Sequence, residues 1–289
     1  MSKILFVLML STIVGFNSHA QEIIETFRNT RIVNSHSSEV LKQGLWEYRI
    51  EHRFGDLAGS QGGVQTAFGF DNVADIRMAF EYGFAKNWML GFGRSKGIAN
   101  PYTSLLDGFV KGRILTQNSD KKVPFSLAVL GSSFYSYMKK SIDPNSLSSF
   151  PKRSHRLSYS AQLIATRKIN DRLSFAIMPT YTHRNYVNVD DVNGLLSLGS
   201  AFNVKLTKSF GVVVEYFYNI HDNSIRKDYK NALGIGVEFI TSGHNFHINL
   251  TNTRGFGEVQ YVALNTADWT KGQFRLGFSI SRDFKIRKK

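Results

Sequence analysis

The stretch Asp75-Ile76-Arg77-Met78-Ala79-Phe80-Glu81-Tyr82-Gly83-Phe84 passes through Ala85-Lys86-Asn87 and continues as Trp88-Met89-Leu90-Gly91-Phe92-Gly93. Ile76, Met78, Phe80, Tyr82 and Phe84 share one parity, while Asp75, Arg77, Ala79, Glu81 and Gly83 share the other. After the turn, Trp88, Leu90 and Phe92 oppose Met89, Gly91 and Gly93. Successive side chains of a strand point to opposite faces. The stretch therefore reads as a hairpin with one aromatic-aliphatic face and one charged or small face.

The same period runs outward in both directions. Upstream, Trp46, Tyr48, Ile50 and Phe54 oppose Glu47, Arg49, Glu51 and Arg53. Downstream, the pattern recurs within 157–163, 173–182, 196–206, 212–220, 233–239, 246–250 and 273–281. Segments near 103–115 and 123–135 alternate poorly, and Phe109 falls on the polar parity, but both are read as strands. The sum is about 12 strands, inside the range of even-numbered transmembrane barrels.

Connection lengths carry the strongest argument. Those after even-numbered segments are short: Ala85–Asn87, Thr116–Lys122, Asn170–Arg172, Lys208–Ser209 and Ser242–Gly243. Those after odd-numbered segments are mostly longer, the longest being Asp56–Val73, Met138–Arg153 and Thr253–Lys271. Outer-membrane barrels segregate their loops in this way, with short periplasmic turns and long outer loops. A lipocalin-like soluble barrel of about 8 strands would leave too much strand over. The expected fold is thus all-β, a closed antiparallel transmembrane β-barrel over 44–284, with both termini in the periplasm.

Lys3, the apolar run Ile4–Phe16 and the small residues Ser18 and Ala20 read as a secretory signal peptide over 1–20. The chain has no cysteine, so neither disulfides nor a lipoprotein anchor is expected. Mean hydropathy is −0.20, and no apolar run reaches the roughly 18 residues of a membrane helix. The formal charge of +14 invites a nucleic-acid reading. Export and the even spread of the basic residues argue against it. Outer-membrane lipid and the phosphates of lipopolysaccharide are the expected partners of that charge. Residues 21–43 read as a periplasmic segment with a short helix near Glu22–Phe27, then a polar, irregular run. Tucking into the periplasmic mouth, at least in part, is expected of it. Residues 285–289 form a basic tail.

The run Phe27-Arg28-Asn29-Thr30-Arg31-Ile32-Val33-Asn34-Ser35-His36-Ser37-Ser38-Glu39 leads into Trp46-Glu47-Tyr48-Arg49-Ile50-Glu51-His52-Arg53-Phe54-Gly55. It resembles the opening signature of an outer-membrane barrel family of Bacteroidota known only as a domain of unknown function. Glu81-Tyr82-Gly83-Phe84, Gly91-Phe92-Gly93-Arg94-Ser95 and Asp107-Gly108-Phe109-Val110-Lys111 resemble its next blocks. The resemblance implies a barrel in the outer membrane of a Gram-negative cell and carries no activity with it.

Several residue sets are candidates for function. Glu47, Arg49, Glu51, Arg53, Asp75, Arg77, Glu81, Asp107, Lys111 and Arg113 share the inner parity. They form either a stiffening ion-pair network or a selectivity lining. Ser197, Gly199, Ala201, Asn203, Gly234 and Gly236 make a small wall, either leaving room for a solute or relieving curvature. Serine at Gly199 is expected to be tolerated far better than arginine at Leu198. Glu238 and His247, with Ser279 or Ser281 on the next strand, have the residue types of a hydrolase triad but no flanking motif. His36 and His52 lack the spacing of a metal site, and no cofactor or metal is expected. The favoured function is a porin-like or plugged barrel that passes or binds small solutes. A structural barrel docking a periplasmic partner through 21–43 is the runner-up, and an outer-membrane lipid hydrolase the third reading.

Overall fold

Alternation becomes architecture in the computed structural model, which describes residues 24–72, 75–97, 101–119, 122–221, 225–241 and 243–285. The expected signal peptide, and the tail beyond residue 285, lie outside the described residues. The strands are β1 (Leu45–Arg53), β2 (Asp75–Ala85), β3 (Trp88–Lys96), β4 (Ser104–Leu115), β5 (Ser126–Ser136) and β6 (Leu157–Lys168). They continue as β7 (Leu173–Arg184), β8 (Gly194–Lys205), β9 (Phe210–Ile220), β10 (Ala232–Ile240), β11 (His244–Thr251) and β12 (Arg275–Lys285). Each pairs antiparallel with its sequence neighbours, and the register from Leu45↔Lys285 to Arg53↔Gly277 joins β1 to β12. The sheet closes as a barrel of 12 strands, so every strand finds a partner on both sides and no edge is left in lipid.

The turns after β2, β4, β6, β8 and β10 gather at one end, and the longer connections gather at the other. Phe80, Phe92, Leu196, Leu198, Tyr218 and Ile248 are exposed on the outer surface, as a lipid-facing band requires. The inner parity is buried even where it is charged. β4 and β5 are the strands that alternate poorly, and the reason is packing. Leu105, Phe109, Leu130 and Phe134 point inward and are buried, because protein fills the interior beside them.

Two segments supply that filling. Residues 24–43 enter from the short-turn end as a hairpin, with no helix over the described part of the expected Glu22–Phe27 span. Arg31 bridges His36, Ile32 N donates to Ser35 O (2.8 Å) and Ser37 N donates to Thr30 O (3.0 Å). The hairpin reaches farther than a mouth-level tuck, since its turn meets Arg53 and Thr253 near the long-loop end. From the opposite end, the β11–β12 connection folds inward and places α1 (Glu258–Tyr261) inside the barrel. This departs from an outer position for all of Thr253–Lys271. Phe256, Val259, Tyr261, Val262 and Ala263 are fully buried there, an apolar run that water would not solvate. Ile32 and Val33 of the hairpin join Tyr261–Ala263 in one cluster with Met89, Phe109 and Phe217 of the wall.

Leu198→Arg is expected to cost about 2–4 kcal/mol, because it sets a charge near the bilayer midplane. Gly199 lies on the inner face, but tolerance there is not expected either. A Cβ would stand 2.5 Å from Phe217 Cε1, and that ring is held edge-on to Tyr261, 5.1 Å between centroids. Gly199→Ser should destabilise by about 1–3 kcal/mol through overpacking. Urea titration of both variants in lipid checks the pair, and a Gly199→Ser midpoint equal to the parent's would refute the packed-wall account.

Candidate functional site

The interior is built around the hairpin turn. β9 runs through the barrel with Gly211, Val213, Glu215, Phe217 and Asn219 facing inward, and Glu215 meets the turn at mid-depth. Its carboxylate accepts Val33 N (3.2 Å), Asn34 N (2.7 Å), Ser35 N (3.2 Å) and Ser35 Oγ (2.8 Å). Consecutive N–H groups of a turn form a concave anion receptor, and here a wall side chain supplies the anion. Sequence reasoning passed over Glu215. The available signal was an acid alone on the inner parity between Val213 and Phe217.

The charged parity of the first strands grips the same hairpin. Arg49 Nη2 donates to Glu47 Oε1 (2.5 Å), Asn29 Oδ1 (3.0 Å) and Thr30 Oγ1 (3.0 Å). Lys111 Nζ donates to the carbonyls of Thr30 and Ser37, both at 3.1 Å, so one ammonium clamps both legs. Arg113 pairs with Glu39 at 2.9 Å. Arg53 donates to Asn34 Oδ1, to Thr253 Oγ1 (2.8 Å) and to the Gly255 carbonyl, tying hairpin and inner loop together. Glu81 lies 3.9 Å from Arg31 Nε and 3.8 Å from Arg49 Nε.

Other members brace the wall. Arg77 spans Glu51 (2.5 Å) and Asp107 (2.6 Å), linking β1, β2 and β4. Arg254 of the inner loop meets Asp75 through two bonds of 2.8 Å. His36 stacks edge-to-face on Phe109, 4.5 Å between centroids.

The small wall holds no free space. Phe217 fills the region beside Gly199, and a Cβ at Gly234 would stand 2.8 Å from Val33 Cγ1 of the hairpin. Gly236 faces Asn249 and Val213, while Ser197 and Ala201 are buried.

Glu238, His247 and Ser279 do fall side by side, in register across β10, β11 and β12. Their geometry is not that of a triad. His247 Nε2, 3.7 Å from Glu238 Oε2, also faces Asn29 Nδ2 of the hairpin at 3.4 Å. A triad turns one ring nitrogen to the acid and the other to the hydroxyl, whereas here one nitrogen faces both acid and amide. Ser281 Oγ donates instead to Glu47 Oε2 (3.0 Å).

Below the hairpin, at the short-turn end, a vestibule of 1070 Å³ opens between the hairpin legs and the turns. Nine lysines and arginines line it against three acids. Sequence reasoning missed this feature, because its residues come from turns and strand ends that resemble ordinary solvated positions.

A family model described as a membrane bound beta barrel domain (DUF5777) matches residues 27–284. The match begins within the hairpin and runs through the barrel strands. Among solved structures, the fold resembles the KdgM porin at 12% identity and a TM-score of 0.50, covering 83% of this chain and 99% of that one. It also resembles the COG4313 outer membrane channel from Pseudomonas putida F1 at 12% identity and a TM-score of 0.49, covering 87% and 100%. No curated protein matches the sequence.

Proposed function

We propose that this chain, which belongs to the DUF5777 family of membrane-bound β-barrel domains, is a porin-like outer-membrane barrel held shut by its own N-terminal segment. The observation that carries this reading is the hairpin itself. It fills the lumen from the short-turn end and is fastened there by Glu215, Lys111 and Arg113. Loop lengths put the short-turn end in the periplasm, so the hairpin withdraws in that direction when a small solute passes. The inner loop bearing α1 narrows the other half of the lumen and stays tied to the wall through Arg254 and Asp75.

Docking of a periplasmic partner through 21–43 is the weaker reading. Thr26, Phe27 and Asn29–Glu39 are buried inside the barrel and present no surface to a partner. A lipid hydrolase is weaker still, since the hairpin covers His247.

Deleting Ile24–Lys42 tests the proposal. Recordings in planar bilayers should show conductance steps at least several-fold above the parent's noise. Heat-modifiable electrophoretic mobility would report that the barrel remains folded. A folded deletion variant as silent as the parent would overturn the plug reading.

A further inference from the structure

We propose that the vestibule at the short-turn end is a binding site for a soluble polyanion, a short oligomer or cluster carrying several carboxylate or phosphate groups. Its volume of 1070 Å³ sits at the upper end of ligand-pocket sizes, about 300–1,000 Å³, and suits a molecule larger than a single small anion.

The charge balance there differs from that of the lumen above. Deeper in, cations meet carboxylates: Arg49 with Glu47, Arg77 with Glu51 and Asp107. At the vestibule, Arg28 and Arg113 are likewise committed, to Glu238 and Glu39. Lys42, Lys86, Lys168, Arg172, Lys205 and Lys208 also line the cavity. Among the described residues, none of these six pairs with a carboxylate. Like charges gathered around a cavity with low-dielectric walls focus a positive potential into it and concentrate counter-ions of high valence.

The position of these residues argues for a soluble ligand over a lipid headgroup. Lys168 follows Thr166 on the inner parity of β6, and Lys205 follows Asn203 on the inner parity of β8. Both point toward the axis. The hairpin legs roof the cavity with Thr26, Phe27 and Val40, so an occupant also lies directly beneath the segment that closes the lumen. The site deepens the channel reading by naming its solute class, but binding itself does not depend on passage.

The intact barrel in a non-ionic detergent is titrated with inorganic tripolyphosphate by calorimetry, at low and at raised salt. Saturable one-to-one binding that weakens with salt is expected. Lys205→Glu combined with Lys208→Glu should weaken it by roughly tenfold or more. Lys139→Glu with Lys140→Glu makes the same charge change at the long-loop end and should leave affinity unchanged. Absence of binding to the intact barrel, or equal loss in both double variants, would overturn the site. Tripolyphosphate affinity should also be equal in phosphatidylcholine and phosphatidylglycerol bilayers, since competition by the anionic lipid would assign the lysines to headgroups. Binding by a barrel whose plug deletion stays silent would retain the site and discard the channel.

Discussion

Glu215→Ala is expected to release the hairpin turn while leaving the barrel folded. The carboxylate accepts three backbone N–H groups and one hydroxyl, at 2.7–3.2 Å. Hydrogen bonds to a charged acceptor contribute about 1.5–3 kcal/mol each, and they do not add fully when they share one acceptor. A combined loss of about 3 kcal/mol is a conservative expectation, and it would raise the withdrawn population roughly a hundredfold. In bilayers this should read as frequent openings that the parent lacks. Trypsin should also reach Arg31, which is buried in the intact protein. Glu215→Gln keeps one acceptor oxygen and should fall between the two. A Glu215→Ala barrel that is silent and protease-resistant would show that Lys111 and Arg113 suffice to hold the segment.

Arg77→Ala should have an effect of similar size and a different character. The guanidinium stands between Glu51 and Asp107, with Nη1 on one and Nε and Nη2 on the other. Removing it leaves two buried carboxylates without their cation, and breaking such a group costs about 3–5 kcal/mol. Arg77 braces the wall and touches neither hairpin leg through any of these bonds. The denaturant midpoint of the barrel should therefore fall while the folded fraction stays non-conducting. Adding Glu51→Gln and Asp107→Asn should recover part of the loss, because the uncompensated charge is then gone. Openings in Arg77→Ala comparable to those of Glu215→Ala would mean that wall and plug are one cooperative unit.

The barrel is legible in the sequence because lipid demands an unbroken outer stripe. Phe80, Phe92, Leu198 and Tyr218 meet the bilayer wherever the interior is charged, small or apolar. The inner face obeys no such rule once protein fills it. Phe109 and Phe134 break the alternation of β4 and β5 for that reason, and their misfit was the available hint that the lumen is not water. The depth of the hairpin was hidden for a different reason. Residues 26–39 have no period of their own, and their partners are distant in the chain, as Asn34 is from Glu215. Polar parity alone places Arg49, Lys111 and Arg113 inside but does not say whether they face each other, a solute or a backbone. The hydrolase set shows the same limit: register brings Glu238, His247 and Ser279 together, and Asn29 decides what His247 faces.

The hairpin runs straight into β1, with Gly44 N held by the Gly83 carbonyl at 2.7 Å and Leu45 opening the strand that meets β12. Its return is thus an intramolecular event on a very short leash. Short flexible tethers give effective concentrations in the millimolar range. A displaced hairpin therefore recaptures its seat without diffusing away, and each opening is brief unless something holds the segment outside. A synthetic peptide of the same sequence would compete for the seat only near millimolar levels. Cutting the leash between Leu41 and Gly44 would turn a self-closing barrel into one whose closure depends on dilution.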